Sequence, residues 1–371
     1  MKILHLPLWI PNKHNVQLGN FIQQQIELSS VDNETFTLGF ISDRTIKRIN
    51  VISNANSLTI SYPSSNNKFI SLFNYLKAVK ISIQEFQKFN FSPHIVHCHV
   101  AGRNLWLAQK YFKGIPIIIS EHWSGYISGE FKKQSFFLRK YLIKKINKCQ
   151  CIISVSNHLT KALTEEGVKL KIKQIGNVID VKEKHILGDS NEMNFFVIAD
   201  LEDQVKNISG ILNAFQLISS SYPKFKLNIV GDGTDSFKLK QRSISLKINE
   251  NVNFLGRVTQ NEVQNLLTKA DCVIVNSNYE TFSMITIESI LTGCPVIATK
   301  CGGPQQFINK NNGLLIEKNN TAELANAMQY IFKKKTSYSP DKVRNSITEK
   351  YSKDQIRKEL NLVYNSISPS S

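Results

Sequence analysis

The chain has 371 residues, 42% of them hydrophobic and 20% charged, with a formal net charge of +17. This length exceeds the roughly 250–300 residues that one hydrophobic core organises, so two domains are expected. No apolar run approaches the roughly 18 residues of a membrane-spanning helix, and six cysteines without a CxxC pair exclude a disulfide scaffold and a paired-cysteine zinc site.

The opening residues, MKILHLPLWIP, place Lys2 before a short apolar run closed by Pro11, which reads as a buried first strand rather than a secretory signal. With the sparse cysteines, this gives a cytoplasmic expectation. From there, short apolar runs alternate with longer amphipathic stretches, the pattern of parallel strands joined by helical crossovers. Strands are predicted at 2–6, 94–97, 115–120 and 151–155, and a second series at 194–198, 226–230, 252–255, 272–275 and 295–298. Between the series, the polar stretch 181–194 reads as the linker. The expected organisation is an α/β domain over 1–182, a second over 183–352, and a terminal segment over 353–371. A helix at 353–367, with Ile356, Leu360, Leu362, Val363 and Ile367 on its apolar side, is expected to pack back on the first domain. Ligands of parallel sheets bind outside the carboxyl ends of the strands, so two such sheets facing across a cleft would put the chemistry there.

Residues 131–148, FKKQSFFLRKYLIKKINK, hold seven basic residues and no acidic one, interleaved with apolar residues. As one helix this segment presents an apolar stripe beside a cationic face. It suits either an anionic membrane surface or ordinary core packing with a solvated basic side. No nucleic-acid-binding motif accompanies it, so nucleic acid is not an expected partner.

The densest chemical signal is residues 276–303, NSNYETFSMITIESILTGCPVIATKCGG. A strand ends near Val275, a loop carries Glu280, and a helix runs from about Ser283 to Thr292, where Gly293 caps it. Amide hydrogens at the helix start, at Ser283, Met284 and Ile285, with the positive end of the helix dipole, suit a diphosphate. Glu288 suits a ribose diol, because a carboxylate accepts two hydroxyl hydrogen bonds. His97 and His99 share a strand face near His94 and Cys98, but no further ligand has a metal-site spacing, and no metal is expected.

This region resembles the family 4, or group 1, retaining glycosyltransferases of GT-B fold, whose hallmark is Glu, seven residues, then Glu. Glu280 and Glu288 fit it. The resemblance extends over the second domain: Ile229–Gly233, Phe254–Val258, Ala270-Asp271, Gly293–Ala298, Gly302-Gly303 and Asn312–Leu315. It implies two Rossmann-like, doubly wound domains, with Glu280 at the transferred sugar, Glu288 at the ribose, and the loop with Arg257 and Val258 beside the base. Lys206 matches a lysine that neutralises the leaving diphosphate, but the family's arginine six residues earlier aligns with Asp200. The resemblance implies that Arg257 or Arg103 would have to compensate. In the first domain, Gly19 matches a loop whose amides approach the donor phosphate. His122, in Ser120-Glu121-His122-Trp123, matches a histidine near the sugar. The chemistry implied is metal-independent transfer from a nucleotide diphosphate sugar, UDP-linked by expectation, to a glycan or lipid-linked glycan, without a further cofactor. A bacterial surface polysaccharide at the inner face of the plasma membrane is the implied setting. The alternatives are a nucleotide-sugar binding protein that Asp200 has impaired, or another GT-B enzyme such as an epimerase.

Overall fold

The computed structural model describes residues 1–15, 17–181, 185 and 192–367. Most of the expected linker at 181–194 lies outside the described residues, as does most of the serine-rich end. The chain divides into two compact units. One comprises Met1–Val155, Leu159–Val178 and the chain from Lys353, and the other Ser156–His158 and Ile179–Ser352.

In the first unit, β1 (Lys2–Pro7) leads through α1 (Asn20–Ser29) to β2 (Glu34–Asp43), β3 (Asn50–Asn54), β4 (Ser57–Pro63) and α2 (Lys68–Gln87). There follow β5 (Ile95–His99), α3 (Arg103–Tyr111), β6 (Ile117–Glu121), and the short α4 (Gly125–Ser128) and α5 (Glu130–Lys133). Then come α6 (Phe136–Ile146), β7 (Cys151–Ser154), α7 (Asn157–Glu165) and β8 (Ile172–Gln174). The sheet order is β3-β4-β2-β1-β5-β6-β7-β8. Its pairs are parallel except for the β3–β4 hairpin, which caps one edge antiparallel. The sheet is thus parallel as expected, with one antiparallel strand at its edge. Strand β4, SLTISYP, was not among the predicted strands because it alternates Ser and Thr with apolar residues and so has no apolar run; every second residue is buried.

The second unit contains β9 (Met193–Ile198), α8 (Asp203–Lys206), α9 (Ile208–Ser219), β10 (Phe225–Val230), α10 (Ser236–Ser245) and β11 (Val252–Gly256). It continues with α11 (Gln260–Thr268), β12 (Cys272–Val275), α12 (Met284–Thr292), β13 (Val296–Thr299), β14 (Gly313–Ile316) and α13 (Thr321–Lys333), and closes with α14 (Pro340–Asn345) and α15 (Thr348–Tyr351). Its strands lie in the order β11-β10-β9-β12-β13-β14, all parallel. The order reverses between β9 and β12. In an open parallel sheet that switch point leaves a crevice at the carboxyl edge, because the crossovers on either side leave in opposite directions.

After the second unit, α16 (Lys353–Ile367) returns to the first, where Ile356, Leu360, Val363 and Tyr364 are buried with Ile3, Ile95, Ile118 and Ile153. Leu362, read as part of that apolar side, is instead 60% exposed, and Tyr364 takes the buried place. The segment 131–148 is also not one helix. Residues Gln134 and Ser135 interrupt it, and the Ser135 hydroxyl caps α6 by accepting from the Leu138 amide at 3.4 Å. Among the described residues, no helix is long and apolar enough to cross a membrane.

Candidate active site

The second unit places two of the sequence-predicted residues on either side of its switch point. Lys206 ends α8, in the connection leaving β9, and Glu280 lies in the connection leaving β12. Their side chains meet: Lys206 Nζ donates to Glu280 Oε1 at 2.7 Å, and the Ser277 hydroxyl donates to the same oxygen at 2.8 Å. Burial disfavours the ammonium charge, but the adjacent Glu280 carboxylate outweighs it, so the Lys206 pKa is raised. Lys206 is therefore a permanent cation with N–H donors beyond the one it gives to Glu280.

The backbone around Glu280 is fixed by its own loop. The Glu280 amide donates to the Cys301 carbonyl at 3.0 Å, and the Gly303 amide donates to the Glu280 carbonyl at 2.9 Å. This approach requires glycine. A Cβ at Gly302 would stand 2.6 Å from the Glu280 carbonyl oxygen, and one at Gly303 2.4 Å from that of Phe282. Gly302 also has φ 116°, a region open to glycine.

Three residues on, Ser283 caps α12 with φ 70°, and its hydroxyl is 2.8 Å from that of Thr286. Helix α12 starts at Met284, so the amides at the start of its first turn have no acceptor within the helix and carry the positive end of its dipole. Glu288, a turn further, is 8% exposed and accepts from Gln260 Nε2 at 2.8 Å. Burial pushes its carboxyl up to about 7, against the lowering effect of the Gln260 bond.

The departure at Asp200 has a partner. Arg257 Nη2 donates to Asp200 Oδ1 at 2.8 Å and to the Asp232 carbonyl at 3.2 Å. The loop carrying Arg257 and Val258 is thereby tied to the end of β9. Arg103, considered for the same compensation, belongs to the first unit. There its guanidinium donates to the Tyr62 hydroxyl and stacks on Tyr75.

In the first unit the order reverses between β1 and β5, and the loop after β1 contains Gly19. Gly19 has φ 76°, and a Cβ there would stand 2.5 Å from the Trp9 carbonyl oxygen, so the loop closes on itself only with glycine. The next residues start α1 and bring Phe21 against the His122 ring, 4.8 Å between centroids. His122 follows β6 directly. It is buried, which lowers its pKa to about 3 and keeps the imidazole neutral; Asn177 opposes this in part.

Several contributors carried no readable signal. Glu121 is buried and spreads three backbone donors over its carboxylate: Ala101 at 3.0 Å, and His122 and Trp123 at 2.9 Å each. Burial nevertheless holds its pKa up, at about 7. It stands within a quoted motif, yet its role depends on Ala101, twenty residues away. Gln260 and Ser277 likewise matter only through what the fold sets beside them. The histidine cluster also differs from the sequence reading. His94 accepts from the Lys2 amide, and His5 joins His97 and His99 instead. His97 engages Tyr364 with one nitrogen and Ser120 with the other, and its ring stacks on His99 at 4.2 Å. The ring nitrogens of His5, His97 and His99 lie within 4.8 Å of one another, with His5 Nδ1 3.0 Å from His99 Nε2.

Comparison with known proteins meets this geometry from outside. The profile of the Glycosyl transferases group 1 matches residues 180–353, and that of Glycosyltransferase Family 4 matches residues 48–183. An uncharacterised glycosyltransferase of Haemophilus influenzae is 27% identical over 229 residues, 58% of this chain and 60% of that protein's length. Anabaena HepE, solved in complex with UDP, superposes with a TM-score of 0.76 at 17% identity, over 99% of this chain and all of the other. The lipopolysaccharide outer core galactosyltransferase WaaB, in its apo form, gives 0.74 at 18% identity over 99% of each chain. The molecule thus has the GT-B fold and is related to the group 1 and family 4 glycosyltransferases.

Proposed function

We propose that this protein transfers a sugar from a nucleotide diphosphate sugar to a hydroxyl of a glycan or lipid-linked glycan, with retention at the anomeric carbon. The observation that carries the reading is the Lys206–Glu280 pair at 2.7 Å, set at a switch point, with α12 beginning four residues after Glu280. In the reaction the bond between the anomeric carbon and the diphosphate oxygen breaks and its electron pair stays with the phosphate. The acceptor oxygen forms the new bond from the same face, and its proton passes to the departing phosphate. Lys206 and the α12 amides oppose the charge that grows on that phosphate, where fixed donors are worth most. Glu280 holds sugar hydroxyls and Glu288 the ribose diol, while Arg257 and Val258 border the base. Gly19 and His122 are the proposed contributions of the first unit, backbone donors and a neutral imidazole respectively. UDP is the proposed nucleotide, supported by the HepE complex. A bacterial surface polysaccharide is the proposed setting, supported by the name of WaaB.

The test is a panel of UDP-, GDP-, ADP- and dTDP-sugars with purified protein and a mixture of glycan acceptors, scoring thermal stabilisation and nucleotide release. Release from one donor, abolished by Lys206→Ala, is the expected result; stabilisation by no nucleotide would sink the donor-site reading. One observation favours a second reading. Arg257 is engaged by Asp200, which leaves fewer cations for a diphosphate. A nucleotide-sugar binding protein would be stabilised by its donor without releasing nucleotide, and Asp200→Arg would then restore turnover.

A further inference from the structure

Helix α2 has two apolar stripes. Tyr75, Ala78, Val79, Ser82 and Phe86 face the sheet and are buried. A second stripe, Phe69, Leu72, Phe73 and Leu76, lies about 110° round the helix and follows the same spacing into solvent, with Phe69 84% and Phe73 68% exposed. An isolated exposed leucine needs no explanation, but four large residues along one helical stripe mark a surface that is covered in use. A second such surface lies on α6, where Phe137 is 82% exposed and Phe136 and Tyr141 are more than half exposed.

The two belong to one face. The connections β4→β5, β5→β6 and β6→β7 cross the sheet in the same direction, so right-handed crossovers put α2, α3 and α6 on the same side. Contacts join them in sequence: the Tyr75 hydroxyl donates to the Arg103 carbonyl between α2 and α3, and Gln109 Nε2 donates to the Lys145 carbonyl between α3 and α6. The amino-terminal halves of α2 and α6, which carry the exposed rings, both follow the carboxyl ends of strands and so share one edge of that face.

Charge selects the occupant. Segments 64–84, 100–120 and 131–150 hold thirteen Lys and Arg and no Asp or Glu; Glu85 and Glu130 border them, and Lys132 and Arg139 face Glu166. Lys68, Lys77 and Lys80 on α2, and Lys140 and Lys144 on α6, are exposed around the rings, with the Lys140 ammonium 4.3 Å from the Phe136 ring centre. Rings that enter an acyl boundary within a cationic surround are the chemistry of interfacial lipid binding. A second copy would set lysine against lysine, with no carboxylate in these segments to answer it.

We infer that the α2–α6 face of the first unit docks on an anionic phospholipid bilayer, with the α2 stripe and the Phe136-Phe137 pair entering the lipid. The inference stands apart from the transfer reading and would hold for a binding protein as well.

The test is sedimentation of the full chain with vesicles of phosphatidylcholine, alone or mixed with phosphatidylglycerol, for the native protein and the double variants Phe69→Ser/Phe73→Ser, Phe136→Ser/Phe137→Ser and Lys140→Glu/Lys144→Glu. Binding is expected only to the mixed vesicles. Each double variant is expected to weaken it by about tenfold or more, from lost apolar burial or lost charge. Thermal stabilisation by nucleotide is measured on the same variants and is expected to stay unchanged, which separates this inference from the donor site. Absence of binding to mixed vesicles overturns it. Binding that ignores both phenylalanine pairs also overturns it, since that is adsorption by charge alone. Self-association abolished by Phe69→Ser/Phe73→Ser would make a second copy the occupant and overturn it equally.

Discussion

The Lys206–Glu280 pair holds two opposite charges together at the switch point of the second sheet. Lys206 is a quarter exposed and Glu280 less, so the pair is partly shielded from solvent. Lys206→Ala removes the cation opposite the departing phosphate. On the transfer reading, turnover is expected to fall about 10²–10³-fold, the cost of losing one preorganised electrostatic donor. Nucleotide release with saturating donor measures it, and an unchanged rate would exclude Lys206 from the chemistry. Glu288 makes a second prediction. Its folded pKa, about 7, lies above its ordinary value of 4.5, so the native state holds a proton that the unfolded chain gives up first. Stability is then greatest below pH 4.5 as far as this group is concerned, falls as pH rises towards 7, and levels off above it. Glu288→Gln removes the buried charge and is expected to stabilise the fold by roughly 2–3 kcal/mol at pH 8 and by little at pH 5. Denaturant titrations at the two pH values check this, while nucleotide affinity is expected to fall at both.

At the scale of elements, the loop from Lys300 to Gly303 works as a template for Glu280. Gly302→Ala places a methyl 2.6 Å from the Glu280 carbonyl oxygen at a φ that suits glycine alone. A loss of about 2–4 kcal/mol is expected from the clash and the strained backbone together, measured by chemical denaturation. These elements differ in how far the sequence reveals them. The stretch 276–303 was legible because loop, cap, helix and glycines follow one another, so spacing alone reports their geometry. Asp200 with Arg257, Glu288 with Gln260, and Glu121 with Ala101 were not, because each pair lies twenty or more residues apart and meets only after the sheets assemble. Strands β2 and β4 escaped for a different reason. Strand β4 is buried on alternate residues, and in both strands Ser and Thr between the apolar positions dilute the run that marked the other strands. The helix at 131–148 was misread because continuous apolar and basic spacing conceals the break that the Ser135 cap imposes.

At the scale of the whole molecule, helix α16 belongs to a unit from which the second unit separates it in sequence. Its buried residues complete the cluster around Ile3, Ile95, Ile118 and Ile153, and the Tyr364 hydroxyl meets His97 Nδ1 at 3.0 Å. Tyr364→Phe is expected to cost about 1 kcal/mol, the net worth of one buried hydrogen bond, with the larger part of the penalty coming from the unpaired imidazole nitrogen. Urea midpoints measure it. Ending the chain at Ser352 strips a full apolar face from the first unit. Limited proteolysis of that truncation is expected to digest residues 1–178 while a fragment near 179–352 persists.

Helix α16 also sets the order of events during synthesis. Translation makes β1 before the second unit and α16 after it, yet Ile3 of β1 is buried with residues of α16, so the core of the first sheet is sealed only once the whole second unit has been made. The second unit has no such debt and is free to close while the ribosome is still at work. In the interval the first sheet presents Ile3 and Ile95 to whatever passes, which makes the nascent amino-terminal half a client for chaperones and exposes it to aggregation. A stop codon within α16 would therefore damage the unit whose other strands were made before the second unit.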